Sequence, residues 1–288
     1  MVSTFTAPGL LIARVLTVSA CLVLAGAVPV GAQGQLKAHY RISMTGVTIG
    51  YAEWSVAIDN RAFTTTASGE AGGIFSILFN GKGKAKTEGA AANGHLSPSI
   101  FVFEMIDDDG KTEFRVAFKD GIAREKVTPD TEPAEERVPI TDKDRRNVVD
   151  PLSAVLVTEA PGVEVLAPQN CNRVLRIFDG RRRYDLTLSF MRIDRLTLKR
   201  SYSGPALVCQ VILHPVAGYR PDSMLVKYVA GRRDMELWFA PINGTAVLAP
   251  LRVAMPTLVG TLKIEADRFD SAATSSPVSK PPSAMRPR

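Results

Sequence analysis

The sequence predicts a mainly β protein: a large curved antiparallel sheet, an open barrel or β-spiral, with one short helix near mid-chain. Three observations carry that expectation. Apolar residues recur with period two rather than 3.6 along most of the chain. The alternating runs are short and recur about every 8–12 residues. Glycine, Asn-Gly and Asp-Gly pairs punctuate them, as tight hairpins require.

The early runs are Tyr40-Arg41-Ile42-Ser43-Met44, Trp54-Ser55-Val56-Ala57-Ile58 and the β-branched Phe63-Thr64-Thr65-Thr66-Ala67. Ile100 to Met105 and Phe114 to Phe118 flank Asp107-Asp108-Asp109-Gly110, a hairpin signal, and Asp120-Gly121 marks a second tight turn. In the second half, Tyr184 to Phe190 alternates cleanly, as does Leu196 to Lys199. Further strands are expected at Leu207–Leu213, Met224–Val229, Met235–Phe239, Ala246–Val253 and Leu258–Ile264. The exception lies between the two β runs. Asp150 is placed to cap a helix with Pro151 at its first position, followed by Leu152 to Val157, and Pro161-Gly162 ends it. The helix is therefore expected over about residues 150–159. Ile74 to Phe79, between glycines, reads as a helical turn or a loop plug.

The chain has 288 residues, 45% hydrophobic and 22% charged, with Gly 22 and Pro 19. Mean hydropathy is +0.05. These values fit a globular chain with ample apolar material and exclude disordered and collagen-like classes. Formal charge is +6, and three histidines leave little room for a His-built metal site.

The N-terminus predicts export. Arg14 is the one charge among residues 1–32, and the apolar run Val15 to Val28 ends at Pro29-Val30-Gly31-Ala32. A positive start, an apolar middle and small residues at the end define a secretory signal peptide, cleaved here after Ala32. An uncleaved anchor needs about 20 apolar residues, more than this run supplies. A lipobox at Val18-Ser19-Ala20-Cys21 would leave too short an apolar stretch after Arg14. The organisation expected is a signal peptide at 1–32, one β-rich domain at 33–269 and a Ser/Ala/Pro-rich disordered tail at 270–288. No later segment is apolar enough to span a bilayer as a helix. With Cys21 removed, Cys171 and Cys209 remain, and two thiols in an oxidising compartment predict a disulfide. A catalytic pair would want Cys-x-x-Cys spacing, which is absent.

Charge is uneven. Residues 104–150 carry 14 acidic and 9 basic side chains, whereas 171–233 carry 13 basic and 4 acidic. Arg181-Arg182-Arg183 follows the Asp179-Gly180 turn and is the candidate rim for an anionic ligand, since guanidinium groups bind phosphate or carboxylate in pairs. Alternation sends Arg182 to the opposite face from its neighbours. Arginine on a solvated strand face is the competing explanation. In an exported protein nucleic acid is not an expected partner; a lipid or an envelope protein is.

The chain lacks a Gly-x-Ser-x-Gly elbow and a His-x-x-x-His helix. Gly81-Lys82-Gly83-Lys84 lacks phosphate-loop spacing and reads as a turn entering a strand. His39, His95 and His214 lie far apart and read as surface or loop residues. Asp107-Asp108-Asp109-Gly110 lacks the spaced oxygens of a calcium loop. No catalytic, cofactor or metal residue is assigned; a carboxylate pair for glycoside hydrolysis is spatial and escapes motifs.

The order of Gly46-Val47-Thr48-Ile49-Gly50, Gly94-His95-Leu96-Ser97-Pro98, Asp150-Pro151-Leu152-Ser153, Cys171, Phe178 to Tyr184 and Tyr202-Ser203-Gly204 with Cys209 resembles a family of exported proteobacterial proteins catalogued only as a domain of unknown function. The resemblance spans about residues 36–269 and implies an envelope protein with an antiparallel β fold and no established activity or cofactor. Lipoprotein-carrying open barrels and β-spiral envelope proteins are analogies of fold alone. The sequence therefore points to a non-enzymatic periplasmic protein that binds a lipidic or amphiphilic ligand or an envelope partner. A structural module with a filled core and an envelope-polymer hydrolase are the alternatives. What separates them is whether the interior holds a continuous apolar cavity.

Overall fold

The computed structural model describes residues 33–71, 81–92, 94–107, 110–128, 136–159, 162–198 and 202–274. All of them belong to one compact unit, Gly31–Arg288. The segment expected to be a signal peptide, the Ile74–Phe79 stretch and most of the expected tail lie outside the described residues.

The described residues form a 14-stranded antiparallel sheet. Its first half contains β1 (Gly34–Met44), β2 (Val47–Ile58), β3 (Ala62–Ala71), β4 (Lys82–Ala92), β5 (His95–Asp107), β6 (Gly110–Lys119) and β7 (Ile122–Thr128). Then come α1 (Pro151–Ala154), the short β8 (Val157–Thr158) and a 3-10 turn at Pro168–Cys171. The second half contains β9 (Arg173–Phe178), β10 (Arg183–Thr197), β11 (Ser203–Ala217), α2 (Met224–Val229), β12 (Met235–Pro241), β13 (Val247–Thr257) and β14 (Gly260–Ala273). The spatial order is β7-β6-β5-β4-β3-β2-β1-β14-β13-β12-β11-β10-β9, with β8 added to β13. Each half is a meander, and the pairing of β1 with β14 joins them.

Alternation builds these strands. In β1, Leu36, Ala38 and Tyr40 are buried while Gln35 and Lys37 are exposed. Trp54, Val56 and Ile58 repeat the pattern in β2. Thr45-Gly46 and Asp120-Gly121 hold positive φ at both central positions, the geometry a two-residue hairpin needs. A sheet of this width must curl, and here it rolls into a nearly closed barrel with one seam, between β7 and β9.

A strap lies across the seam. The Ala123 amide donates to the Arg145 carbonyl and the Asn147 amide to Gly121, at 2.9 and 2.7 Å. On the other side the Val149 amide donates to Arg176 and the Phe178 amide to Val149, both at 2.9 Å. The Arg145 guanidinium grips the Glu125 carboxylate on β7 with two nitrogens. The strap ends at Asp150, which is fully buried. Asp150 accepts from the amides of Leu152 and Ser153, from the Ser153 hydroxyl and from the Thr87 hydroxyl of β4. It thus caps α1 and ties it to the barrel wall. Burial pushes its carboxyl pKa upward, and those four donors oppose the shift.

Ala206–Cys209 of β11, Leu237–Ala240 of β12 and Val247–Leu251 of β13 are buried on both faces. Ala206 and Val208 join one cluster with Leu36, Trp54, Phe63 and Phe269. Leu207, Cys209 and Leu237 join another with Cys171 and Phe239. Cys171 and Cys209 form a disulfide that closes a separation of 38 residues and anchors the 3-10 turn to β11. Opposite Leu237, the Trp238 ring lies between the Arg192 and Arg252 guanidiniums, 5.6 and 5.1 Å from its centroid. Arg252 in turn binds Glu265 on β14, so polar and cation–π contacts cross five strands.

Three expectations are corrected. Met224–Val229 is helix α2, because the Ser223 hydroxyl caps it by accepting from the Val226 amide and Ala230 ends it. The mid-chain helix is one turn; Val157-Thr158 leave it to pair with Leu248 and Val247. The strand expected at Leu258–Ile264 begins at Gly260 and runs to Ala273, past the expected boundary at 269, because β1 offers partners as far as Gly34.

Two outcomes follow. Removing the bridge by Cys171→Ala with Cys209→Ala should lower unfolding stability in urea by about 2–4 kcal/mol. An unchanged midpoint would mean the bridge carries no folding load. Asp150→Ala should cost about 2–4 kcal/mol, because it deletes a cap and strands the Thr87 hydroxyl. Asp150→Asn should cost less, and equal losses would contradict the capping role.

Candidate functional site

Inside the barrel, an apolar cavity of about 450 Å³ separates the two halves of the sheet. One wall comes from the inward positions of β1–β3, namely Tyr40, Trp54 and Ala67. The opposite wall comes from β10–β14, through Leu186, Val211, Leu213, Met235, Leu237, Val253, Met255 and Ile264. Leu152 and Val155 of the α1 turn close a third side.

Register explains the grouping. Val253 pairs with Ile264 and Ile264 with Ile42, so three inward side chains form one layer across β13, β14 and β1. Met255, opposite Leu262, forms the next layer toward the β13–β14 turn. Leu237 stands opposite Val253, and Met235 opposite Val211, which extends the wall across β12 and β11. On the far side of Tyr40 and Trp54 the interior is filled by Leu36, Phe63 and Phe269, each at most 1% exposed. Toward the turns Thr45-Gly46 and Leu258-Val259, by contrast, Ile42, Met44 and Leu262 are only half-buried. The cavity is therefore blind at one end.

The polar atoms near this space are spent. The Tyr40 hydroxyl donates to the Pro250 carbonyl at 2.7 Å, and burial drives its pKa far above the ordinary phenol value. The Trp54 indole N–H donates to the Thr65 hydroxyl. The polar atom of each ring is thus engaged by the protein itself. The surface of this space is apolar, and Glu53 and Glu236 are the carboxylate residues among those that line it.

The arginine turn lies elsewhere. Gly180 adopts φ of +95°, and a side chain there would meet Val116 at 3.0 Å, so the turn is pressed against β6. Asp179, drawn up in pKa by burial, accepts from the amides of Arg181 and Arg182. Arg181 is half-buried with its guanidinium 5.5 Å from the Phe114 ring centroid. Arg182 is exposed. Arg183 is buried, donating to the Tyr184 carbonyl and the Asp185 carboxylate, so the triplet divides between surface and interior. None of the three lines the apolar cavity. Burial lowers the pKa of Arg137, and the nearby Arg181, Arg182 and Arg220 add to that shift.

The histidines remain apart. His39 is in β1, bonded to Asp267 at 2.6 Å and stacked on Tyr51. His95 opens β5, and His214 is an exposed position of β11. Asp107 ends β5, and its two following aspartates lie outside the described residues. Among the described residues no group of three or more His, Cys, Asp and Glu is placed to hold a metal. None is a helix long and apolar enough to cross a membrane, which says nothing of β-strands. The cavity residues escaped motif analysis because each is one apolar position in an alternating strand. Their period-two spacing was the available signal; the strand order that unites them was not.

Comparison with known proteins places the chain by family rather than activity. Structurally it is similar to the crystal structure of a beta-barrel-like protein of domain of unknown function DUF1849 from Brucella abortus, with TM-score 0.48 and 10% identity over 84% of this chain and 99% of that one. No curated protein matches the sequence. The family model described as "Protein of unknown function (DUF3108)" matches residues 39–267. The chain belongs to the DUF3108 family.

Proposed function

We propose that this protein is a non-enzymatic binding protein of the bacterial periplasm, and that it holds the hydrocarbon part of a lipidic or amphiphilic ligand inside its barrel. The observation that carries this reading is the 450 Å³ apolar cavity. That size lies within the range of about 300–1,000 Å³ usual for small-molecule sites. Apolar surface left unburied forgoes stabilisation that packing would supply. A sequence under no demand for the space would fill it with larger side chains, as it does beyond Trp54 with Phe63 and Phe269. Apolar cavities exclude water and accept apolar guests.

An envelope protein as partner is the second reading, and the exposed Arg182 on its turn is the feature that favours it. A guanidinium in that position suits carboxylates on an acidic protein surface.

Binding of dansyl-labelled undecanoate, followed by fluorescence, tests the first reading. The native protein should bind it. Val253→Trp, which puts an indole into the cavity, should weaken binding by about tenfold or more. Its melting temperature should hold or rise, since the indole occupies space that is otherwise unfilled. Equal affinity in Val253→Trp, or no binding by either protein, would overturn the reading.

A further inference from the structure

We propose that the barrel docks on anionic bilayers through an apolar lip at the mouth of the cavity, built from the β1–β2 turn, the β13–β14 turn and α2. The proposal rests on the ligand reading above for its purpose, but on separate residues for its evidence.

The topology brings the three segments together. β1 ends and β14 begins at the same edge, where Met44 pairs with Leu262. The two hairpin turns are locked to each other: the Thr45 amide donates to the Thr261 carbonyl at 3.0 Å, and the Thr45 hydroxyl to Val259. Helix α2 packs against β13.

These segments expose several large apolar side chains, against the rule for turns. Val259, at the tip, is 75% exposed and Met224 is 72% exposed. Leu258, Leu225 and Val47 are each about half exposed. Single exposed apolar residues need no explanation, but several large ones at one end of a barrel mark a contact surface. These project from turns and a helix rather than lining a groove, the shape suited to entering a bilayer interface and not to receiving a segment. Basic side chains stand beside them. Lys227 on α2, Lys263 on β14 and Arg233 after α2 are exposed, whereas the nearby acids Asp222 and Asp234 are engaged by Arg220 and Arg232. An apolar tip with flanking cations matches hydrocarbon under anionic headgroups. Met255 lines the cavity and pairs with Leu262, which with Ile42 is half-buried toward the lip, so apolar side chains lie between lip and cavity.

Sedimentation with phosphatidylglycerol and phosphatidylcholine vesicles tests the docking. The full chain should bind phosphatidylglycerol vesicles more tightly, and should lose most of that binding at about 1 M NaCl, where the Debye length is about 3 Å. Leu258→Asp with Val259→Asp should weaken it by about tenfold or more. Lys227→Glu with Lys263→Glu should also weaken it, and restore binding only where the vesicle charge is removed. Both pairs lie on exposed turn, helix or strand positions, and unchanged melting temperatures certify folding. Absence of vesicle binding, or binding indifferent to both pairs, overturns the docking proposal. Dansyl-undecanoate binding by the same variants separates the two claims. Lip variants that keep the probe but lose vesicles support the lip. A native protein that binds vesicles but not the probe leaves the lip standing and removes the ligand reading.

Discussion

The structure depends on one long-range pairing, that of β1 with β14. Gly34 faces Ala273 and Met44 faces Leu262, so residues more than two hundred positions apart in the chain share one ladder. β1 also pairs with β2 along its whole length, which makes it the strand on which both meanders meet. Without it there are two open sheets, each with an apolar face bare to water. With it, Tyr40 stands between Ala52 and Ala266 and reaches Pro250 on β13 with its hydroxyl. Closing a loop of this length carries an entropic cost that the pairing must offset.

That same closure leaves the seam between β7 and β9 and the strap across it. The strap is more than a covering for strand edges. It terminates in Asp150, whose carboxylate organises α1, and α1 supplies Leu152 and Val155 to the cavity. The inside of the barrel is thus two materials. Around Cys171, Leu207 and Phe239 it is packed and bridged; around Val253, Met255 and Leu213 it is open. The contrast between the packed region and the apolar space beside it is what the proposed ligand reading rests on.

Most of the architecture was legible in the chain. Alternation at Tyr184–Phe190 and at Trp54–Ile58 marked strands, Asp120-Gly121 marked a hairpin, and Asp150-Pro151 marked a helix start, each through a local rule. Met224–Val229 misled because its run of apolar residues suits a buried strand or a short helix equally; only the Ser223 cap distinguishes them. Arg183 misled for a different reason. Its neighbours sit on an exposed turn, yet strand alternation carries it inward to Asp185. The cavity was legible only as a question. No local pattern says whether inward positions on distant strands touch across the barrel or stand apart, because that depends on the β1–β14 register and on where α1 lies.

The central claim is that an apolar chain occupies the space between Tyr40, Val253 and Leu213. Methyl NMR with spin-labelled stearate locates such a chain directly. A bound label should broaden the methyls of Val253, Met255, Leu213 and Ile264, and leave those of Val157, Leu188 and Leu207 beside the disulfide sharp. Broadening confined to surface methyls, or none at saturating stearate, would contradict the account.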